Sequence, residues 1–419
     1  GITDNDTVTV GGNLTATTDD NNGVINMGTL AVAGNITLTT NGSGNATIDN
    51  GSLNVALDAS SIGGDLTVTS GALAGITDND TVTVGGNLTA TTDDNNGVIN
   101  MDTLAVGGTI ALTTHGSGNA TVVNNQGLAF AASTVGGALS ATATTGNITD
   151  SGTLAIAGAS TFVTKASGSN IILDDSGNAF TGAVTMKADT NGNAAFGNIT
   201  FVDNGPVKID DDTDQQGDLF INASTDGAVG GNLSVTASNG NITQGVALAI
   251  SGTTTLVTSA NDATITLDDN ANAFTGALSI TTNDASGTDA HVTIDGGTTA
   301  LNIATSTIDG NLTLTSGHAS GIVDSGTVTV GGNLTATTDD SNGVINMGTL
   351  AVAGNIALTT NGSGNATIDN GSLNVALDAS SIGGDLTVTS GALAGITDND
   401  TVTVGGNLTA TTDDNNGVI

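Results

Sequence analysis

The stretch GGDLTVTSGALAGITDNDTVTVGGNLTATT (63–92) decides the fold. Val82 and Val84 alternate with Thr81 and Thr83, and Leu88 and Ala90 alternate with Thr89 and Thr91. Alternation with one apolar face is the pattern of a half-buried strand. Gly, Asn and Asp clusters break the chain between these runs, as corners require. From Gly63 to Gly85 the pattern has moved on by 22 residues and starts again. The same double-glycine start recurs at Gly11, Gly107, Gly136, Gly230, Gly331, Gly383 and Gly405, with single-glycine relatives at Gly34, Gly158, Gly252, Gly276 and Gly310.

Longer repeats lie over this short period. Residues 1–25 recur unchanged at 75–99 and at 395–419, and residues 1–99 match 321–419 at 94 of 99 positions. A second module, 136–183, returns at 230–277. The chain opens at Gly1 and closes at the phase in which it began, as expected of a window from a longer array.

Composition agrees with strands and excludes much else. The 419 residues include 62 Gly and one Pro, and 40 acids stand against 3 basic residues for a net charge of −37. Every acid is Asp; Glu, Arg, Cys, Trp and Tyr are missing. Good helix formers are scarce, while Thr, Val, Ile and the turn residues dominate. A disordered acidic chain would hold far fewer apolar residues than the 37 % found here. Without cysteine there are no disulfides, thiolate metal sites or Cys nucleophiles, which fits a secreted protein. Apolar runs such as Leu128 to Ala132 are too short to span a membrane. The charge excludes nucleic acid as a partner, since phosphates would be repelled.

Short strands between Gly/Asn/Asp corners at this step predict an all-β fold, a right-handed parallel β-helix (β-solenoid) of about 22–30 residues per turn. The expected core is a narrow column of Leu, Ile, Val and Ala, with Thr outward and Gly or Asn at positive-φ corners. A β-sandwich would repeat near 100 residues and leaves the short step unexplained. Residues 1–419 read as a single continuous solenoid. Its open coil edges call for neighbouring copies of the same repeat, in a longer chain or a head-to-tail polymer.

Three segments carry a family resemblance: GGNLSVTASNGNITQ (230–244), TLAIAGASTFVT (153–164) and LDDNANAFTGA (267–277). With their duplicates they resemble the repeat regions of giant bacterial surface proteins of the filamentous-haemagglutinin-like class, the β-helical adhesins and exoproteins. The resemblance implies an extracellular fibre or cell-surface stalk, non-catalytic, serving attachment or a biofilm matrix. A carbohydrate or protein receptor would then bind outside this segment. No functional residue of that family carries over. Surface-layer or sheath proteins are the structural alternative, a polysaccharide-degrading β-helix enzyme the catalytic one, and an ice-binding solenoid a third.

Asp210, Asp212, Asp214 and Asp218 alternate in VKIDDDTDQQGD (207–218), an oxygen-only set suited to Ca²⁺ but lacking the glycine position and terminal Glu of an EF-hand. Lys208 beside it is the one lysine next to an acid cluster; carboxylate spacing alone admits a glycosidase pair there, but charge compensation explains it more simply. The pairs Asp19–Asp20, Asp93–Asp94, Asp339–Asp340, Asp174–Asp175 and Asp268–Asp269 fall on corners, where Asx turns explain them and divalent ions would screen them. His115 stands where the other copies have Asn41 and Asn361, and His318 where one has Ala72, so both are expected to fill corners. His291 has no duplicate. The pairs Thr15/Thr17, Thr67/Thr69, Thr89/Thr91 and Thr335/Thr337 suggest an outward Thr ladder, interrupted by Ala111 and Phe162. Sequons at Asn13, Asn35 and Asn45 are expected to serve as corner residues that hydrogen-bond along the stack.

Overall fold

Leu66, Val68 and Ser70 point inward from the strand Leu66–Ser70 and are fully buried, while Thr67 and Thr69 face outward and remain half-exposed. In a computed structural model, residues 1–188, 197–209, 218–221, 228–282, 289–391, 395–413 and 417–419 are described, without the side chains of 218–221. No described residue is helical, and every strand pairing among them is parallel, joining one coil to the next. The fold is the expected β-solenoid. It divides into two compact units, residues 1–204 with 212–223, and residues 205–211 with 224–419.

In the first unit Ile2, Ile25, Ala46, Leu66, Leu88, Ile110 and Phe130 stand in one column through successive register pairs. Register partners lie 19 residues apart at Ala120↔Leu139 and 35 apart at Val184↔Leu219, so coils fall on both sides of the expected range. Each coil has a straight strand in one sheet and a divided strand in the other. Leu66–Ser70 is straight; Ile76–Asp78 and Val82–Val84, broken by a corner, form the divided face of the same coil. The divided face changes sheets along the unit. It lies in the first sheet at Ile25–Met27, with Leu30–Val32 paired to Val8–Val10 in a separate two-stranded sheet, in the second from Val55–Leu57 to Ile99–Val106, and in the first again from Leu128–Phe130 to Ala179–Phe180. Identical sequence follows this change: Leu14–Thr17 pairs in the second sheet, whereas its copy within Leu88–Thr92 pairs in the first.

The core is aliphatic, with Ile36, Leu38, Ile48, Leu57 and Leu66 wholly buried. In one stretch it turns aromatic. Phe130, Phe162, Phe180 and Phe201 form a row with ring centroids 6.2, 6.0 and 5.3 Å apart, the first two contacts edge-on. Such contacts add about 0.5–1.5 kcal/mol each beyond burial. Phe162 therefore does not interrupt an outward Thr ladder. It is wholly buried, in register with Ala141, and Thr161 faces outward beside it. Gly158 bonds to Gly137 and so occupies the place of the second glycine of the usual pair, which shifts the count by one. Ser160 then fills the inward slot of Leu139, leaving room for the larger ring. Ala111 does interrupt the ladder, in register with Thr89.

In the second unit Leu233, Thr254 and Leu278 stand in one column, and Leu301, Ile322, Ile345, Ala366, Leu386 and Leu408 in another. Its divided faces likewise change sheets, lying at Ile322–Asp324 and Val328–Val330 and later at Val375–Leu377 and Ser380–Ile382. Corners in both units take the expected residues. Asn21, Asn22, Asn95, Asn96 and Asn342 adopt φ of 53–54°, with Ser341 at 55° in the place of Asn21. Close stacking demands glycine at Gly63, where a Cβ would overlap the carbonyl of Gly42 in the preceding coil.

Candidate functional site

Corners leave backbone groups without strand partners, and buried ones must be paired. Side chains supply the partners. Asn13 Oδ1 accepts the N–H of Asn35 one coil on at 3.0 Å, and Asp65 and Asn87 accept those of Asn87 and Thr109 at 2.7 and 2.8 Å. The second unit repeats this from Asn311 to Asn333 to Asn355, at 2.8 Å for each step. Asn45 Oδ1 is bonded in the same way, and Asn35 Nδ2 donates to Asp58 at 2.9 Å. The expected corner ladder is present.

The histidines sit in these corner positions. Asn96 N–H reaches His115 Nδ1 at 3.4 Å, matching the Asn22–Asn41 contact at 3.4 Å and the Asn342–Asn361 contact at 3.3 Å. His291, which has no duplicate, accepts the N–H of Asn311 at 3.0 Å and begins that part of the ladder. His318 Nδ1 accepts from Ser320 N–H at 3.0 Å, a bond the alanine in its place elsewhere does not make.

A second set of partners was not read from the sequence. Asp4 takes Gly28 and Thr29 N–H at 3.1 and 2.8 Å and the Thr29 hydroxyl at 2.9 Å. Asp78 and Asp324 hold Thr103 and Thr349 in the same way. The signal was an I-x-D strand with Thr 25 residues beyond the Asp. At Asp4 a slight desolvation raises the carboxyl pKa, but the Thr29 and Gly28 donors outweigh it and leave the group below its ordinary value. Asp150 accepts Asp174 N–H and Asn178 Nδ2 at 2.9 and 2.6 Å, yet burial outweighs these bonds and raises it.

Where the divided face changes sheets, a straight strand underlies a divided one and a polar side chain closes the seam. Asn50 is wholly buried. Its Oδ1 accepts Val32 N–H at 2.7 Å, and its Nδ2 donates to Val32 and Asn54 carbonyls at 3.0 and 2.7 Å. The carboxamide thus replaces a strand residue. Asn124 repeats the arrangement against Val106 and Gly127, and Asn370 against Val352 and Asn374. In the second unit the Thr299 hydroxyl accepts Phe274 N–H at 3.0 Å. Extending the inward alternation of Ala46 and Ile48 by one step reaches Asn50, so this signal was legible.

Of the candidate Ca²⁺ ligands, Asp210, Asp212 and Asp214 and the side chain of Asp218 lie outside the described residues. The Asp pairs sit on corners: Asp20, Asp94 and Asp340 accept the N–H of the next residue at 2.7, 2.7 and 2.6 Å, while Asp175 and Asp269 accept the N–H two residues on at 2.9 and 2.8 Å, closing Asx turns. Among the described residues no group of three or more His or Asp side chains could hold a metal ion. An open groove of about 250 Å³ in the second unit is lined by Asn270, Asp295, Gly297, Asp339 and Asp340. Burial raises the Asp295 carboxyl against the lowering bond from Gly297, and the charges of Asp339, Asp268 and Asp269 add to the rise. Among the described residues no helix is long and apolar enough to cross a membrane.

Two stretches, residues 117–187 and 212–281, match a family described as repeats of unknown function (DUF5649). They enclose both copies of the duplicated module, 136–183 and 230–277. No curated protein and no solved structure matches the chain. The chain is a repeat protein with a β-solenoid fold.

Proposed function

We propose that this chain is a non-catalytic structural segment of an extracellular fibre or giant cell-surface adhesin. One observation carries the reading: among the described residues, acidic, Asn and His side chains recur in bonds that join one coil to the next. Asp4, Asp78 and Asp324, the corner Asn residues, and His115 and His291 hold backbone groups of adjoining coils. Each such bond is worth about 0.5–1.5 kcal/mol, and the ladder repeats them along each unit. An acidic, Thr-rich exterior discourages lateral association through charge repulsion. Each coil edge is completed by another coil of the same kind, from the same chain or a neighbouring copy, and a carbohydrate or protein receptor is engaged outside this segment.

The test is labelling of intact, unpermeabilised source cells with an antibody to the 230–277 module. Labelled fibres or stalks at the surface are expected. Labelling that requires permeabilisation would overturn the reading. Polysaccharide depolymerisation by the purified chain would favour the enzyme alternative.

A further inference from the structure

Asn–Gly steps recur at the corners, and they carry a reactivity of their own. Glycine has no Cβ to shield its nitrogen. Once that nitrogen gives up its proton to water, it can attack the carboxamide carbon of the Asn before it. A C–N bond forms, ammonia leaves, and the ring closes as a succinimide. Water then adds to either ring carbonyl and opens it, leaving Asp or isoaspartate and one more negative charge. Two features restrain the step: a hydrogen bond that commits the glycine N–H, and bonds that fix the carboxamide.

The corners differ in both. After Asn22, Asn96 and Asn342, the N–H groups of Gly23, Gly97 and Gly343 donate to the carbonyls of Asp20, Asp94 and Asp340 at 3.1, 3.1 and 3.0 Å. The carboxamide oxygens of the same three Asn residues accept Ser43, Ser117 and Ser363 N–H at 2.9, 3.0 and 3.0 Å. Asn50 and Asn370 are wholly buried, and the N–H groups of Gly51 and Gly371 donate to Asp49 and Asp369 at 2.8 Å. Asn41 and Asn361 are held less. Gly42 and Gly362 are exposed, and neither N–H has an acceptor among the described residues. The carboxamide oxygens meet Asn22 and Asn342 N–H at 3.4 and 3.3 Å, beyond the usual range. Asn361 Nδ2 also donates to the Asp339 carbonyl at 3.2 Å.

We infer that Asn41 and Asn361 are sites of spontaneous deamidation in the folded chain, while the steps at Asn22, Asn96, Asn342, Asn50 and Asn370 are protected. The inference stands apart from the fibre reading, since it concerns an isolated chain. The third copy of this corner carries His115, which makes the same contact with Asn96 and has no carboxamide to lose. Conversion matters to the stack because the corner is tight. A Cβ on Gly63 or Gly383 would overlap the carbonyl of Gly42 or Gly362 in the coil before. Isoaspartate lengthens the main chain there by one atom, so the modified corner opens against its neighbour.

The test ages the purified full chain in mildly alkaline buffer, cuts it before Asp residues, and locates each carboxamide-to-carboxyl mass change by tandem mass spectrometry. Peptides 20–48 and 340–368 each hold one site, with Asn22 or Asn342 as an internal reference. Each ordinary hydrogen bond that must first break slows the step about two- to tenfold, so Asn41 and Asn361 should convert about fivefold or more faster than Asn22 and Asn342. In urea that preference should disappear, because the unfolded steps share one chemistry. Asn41→His should abolish conversion at its corner, and His115→Asn should create a further site. Conversion at Asn22 and Asn342 as fast as at Asn41 and Asn361 in the folded chain overturns the inference. So does a preference that persists unchanged in urea, or a folded chain in which neither site converts.

Discussion

Asn124→Ala tests whether a buried side chain stands in for a strand. The alanine removes three bonds: the acceptor for Val106 N–H at 2.8 Å, and the donors to Val106 and Gly127 carbonyls at 3.0 and 2.6 Å. Asn124 is wholly buried, so water has no ready access to the groups left behind. Leaving a buried backbone group unpaired costs about 1–3 kcal/mol, so three cost about 3–9 kcal/mol before relaxation. Relaxation of the corner near Gly127 would recover part, and a loss of about 3–5 kcal/mol is expected. In stacked repeats that loss should stay local, because each coil interacts with its neighbours alone. Native-state hydrogen exchange is therefore the assay, read at the amides of Val106 and the adjoining coils. Asn125→Ala is the control; Asn125 is exposed, and its replacement should stay within about 0.5 kcal/mol of wild type. Should Asn124→Ala lose no more than the control, the carboxamide is not acting as a strand residue.

Three further outcomes follow from individual side chains. Asp295→Asn should stabilise the chain at neutral pH, because it keeps the acceptor for Gly297 while removing a carboxylate that burial and neighbouring acids disfavour. That gain should shrink as pH falls through the carboxylate range, and a variant equally displaced across the titration contradicts it. His291→Asn should match wild type in urea unfolding, while His291→Ala should lose about 1 kcal/mol with the bond to Asn311; equal behaviour of the two would show that the corner bond contributes nothing. Thr254→Val should raise stability by about 1 kcal/mol, since the Thr254 hydroxyl is buried without a hydrogen-bond partner. A lower melting temperature for that variant would argue that the hydroxyl is bonded in solution.

Much of this was legible because a solenoid is built from local periods. The step of the glycine starts and the alternation of Val82 and Val84 with threonines are properties of a few consecutive residues, and they specify strand, corner and stacking together. Comparison between copies was as informative: the interchange of His115 with Asn41 and Asn361 identified a corner position, and the bonds to Asn96, Asn22 and Asn342 agree. Phe162 was misread because glycine spacing was counted from the wrong member of a pair, and the pairing of Gly158 with Gly137 resolves it. The Asp4–Thr29 and Asp78–Thr103 contacts join residues a full coil apart, so only the recurrence of an I-x-D strand with Thr 25 residues on announces them.

The sequence by itself determined that the chain coils, which aliphatic residues face inward and where the corners fall. It did not determine which sheet a given strand joins. Residues 1–25 and 75–99 are identical, yet Leu14 pairs with Ile36 in one sheet while Leu88 pairs with Ile110 in the other. Local preferences are the same for both, so the difference is decided by what lies between them: the straight strand Ala46–Asp49 and the buried amide of Asn50, which move the divided face across the coil. Strand identity is local, but the choice of sheet is a choice of hydrogen-bond partner a coil away, and only the assembled stack makes it.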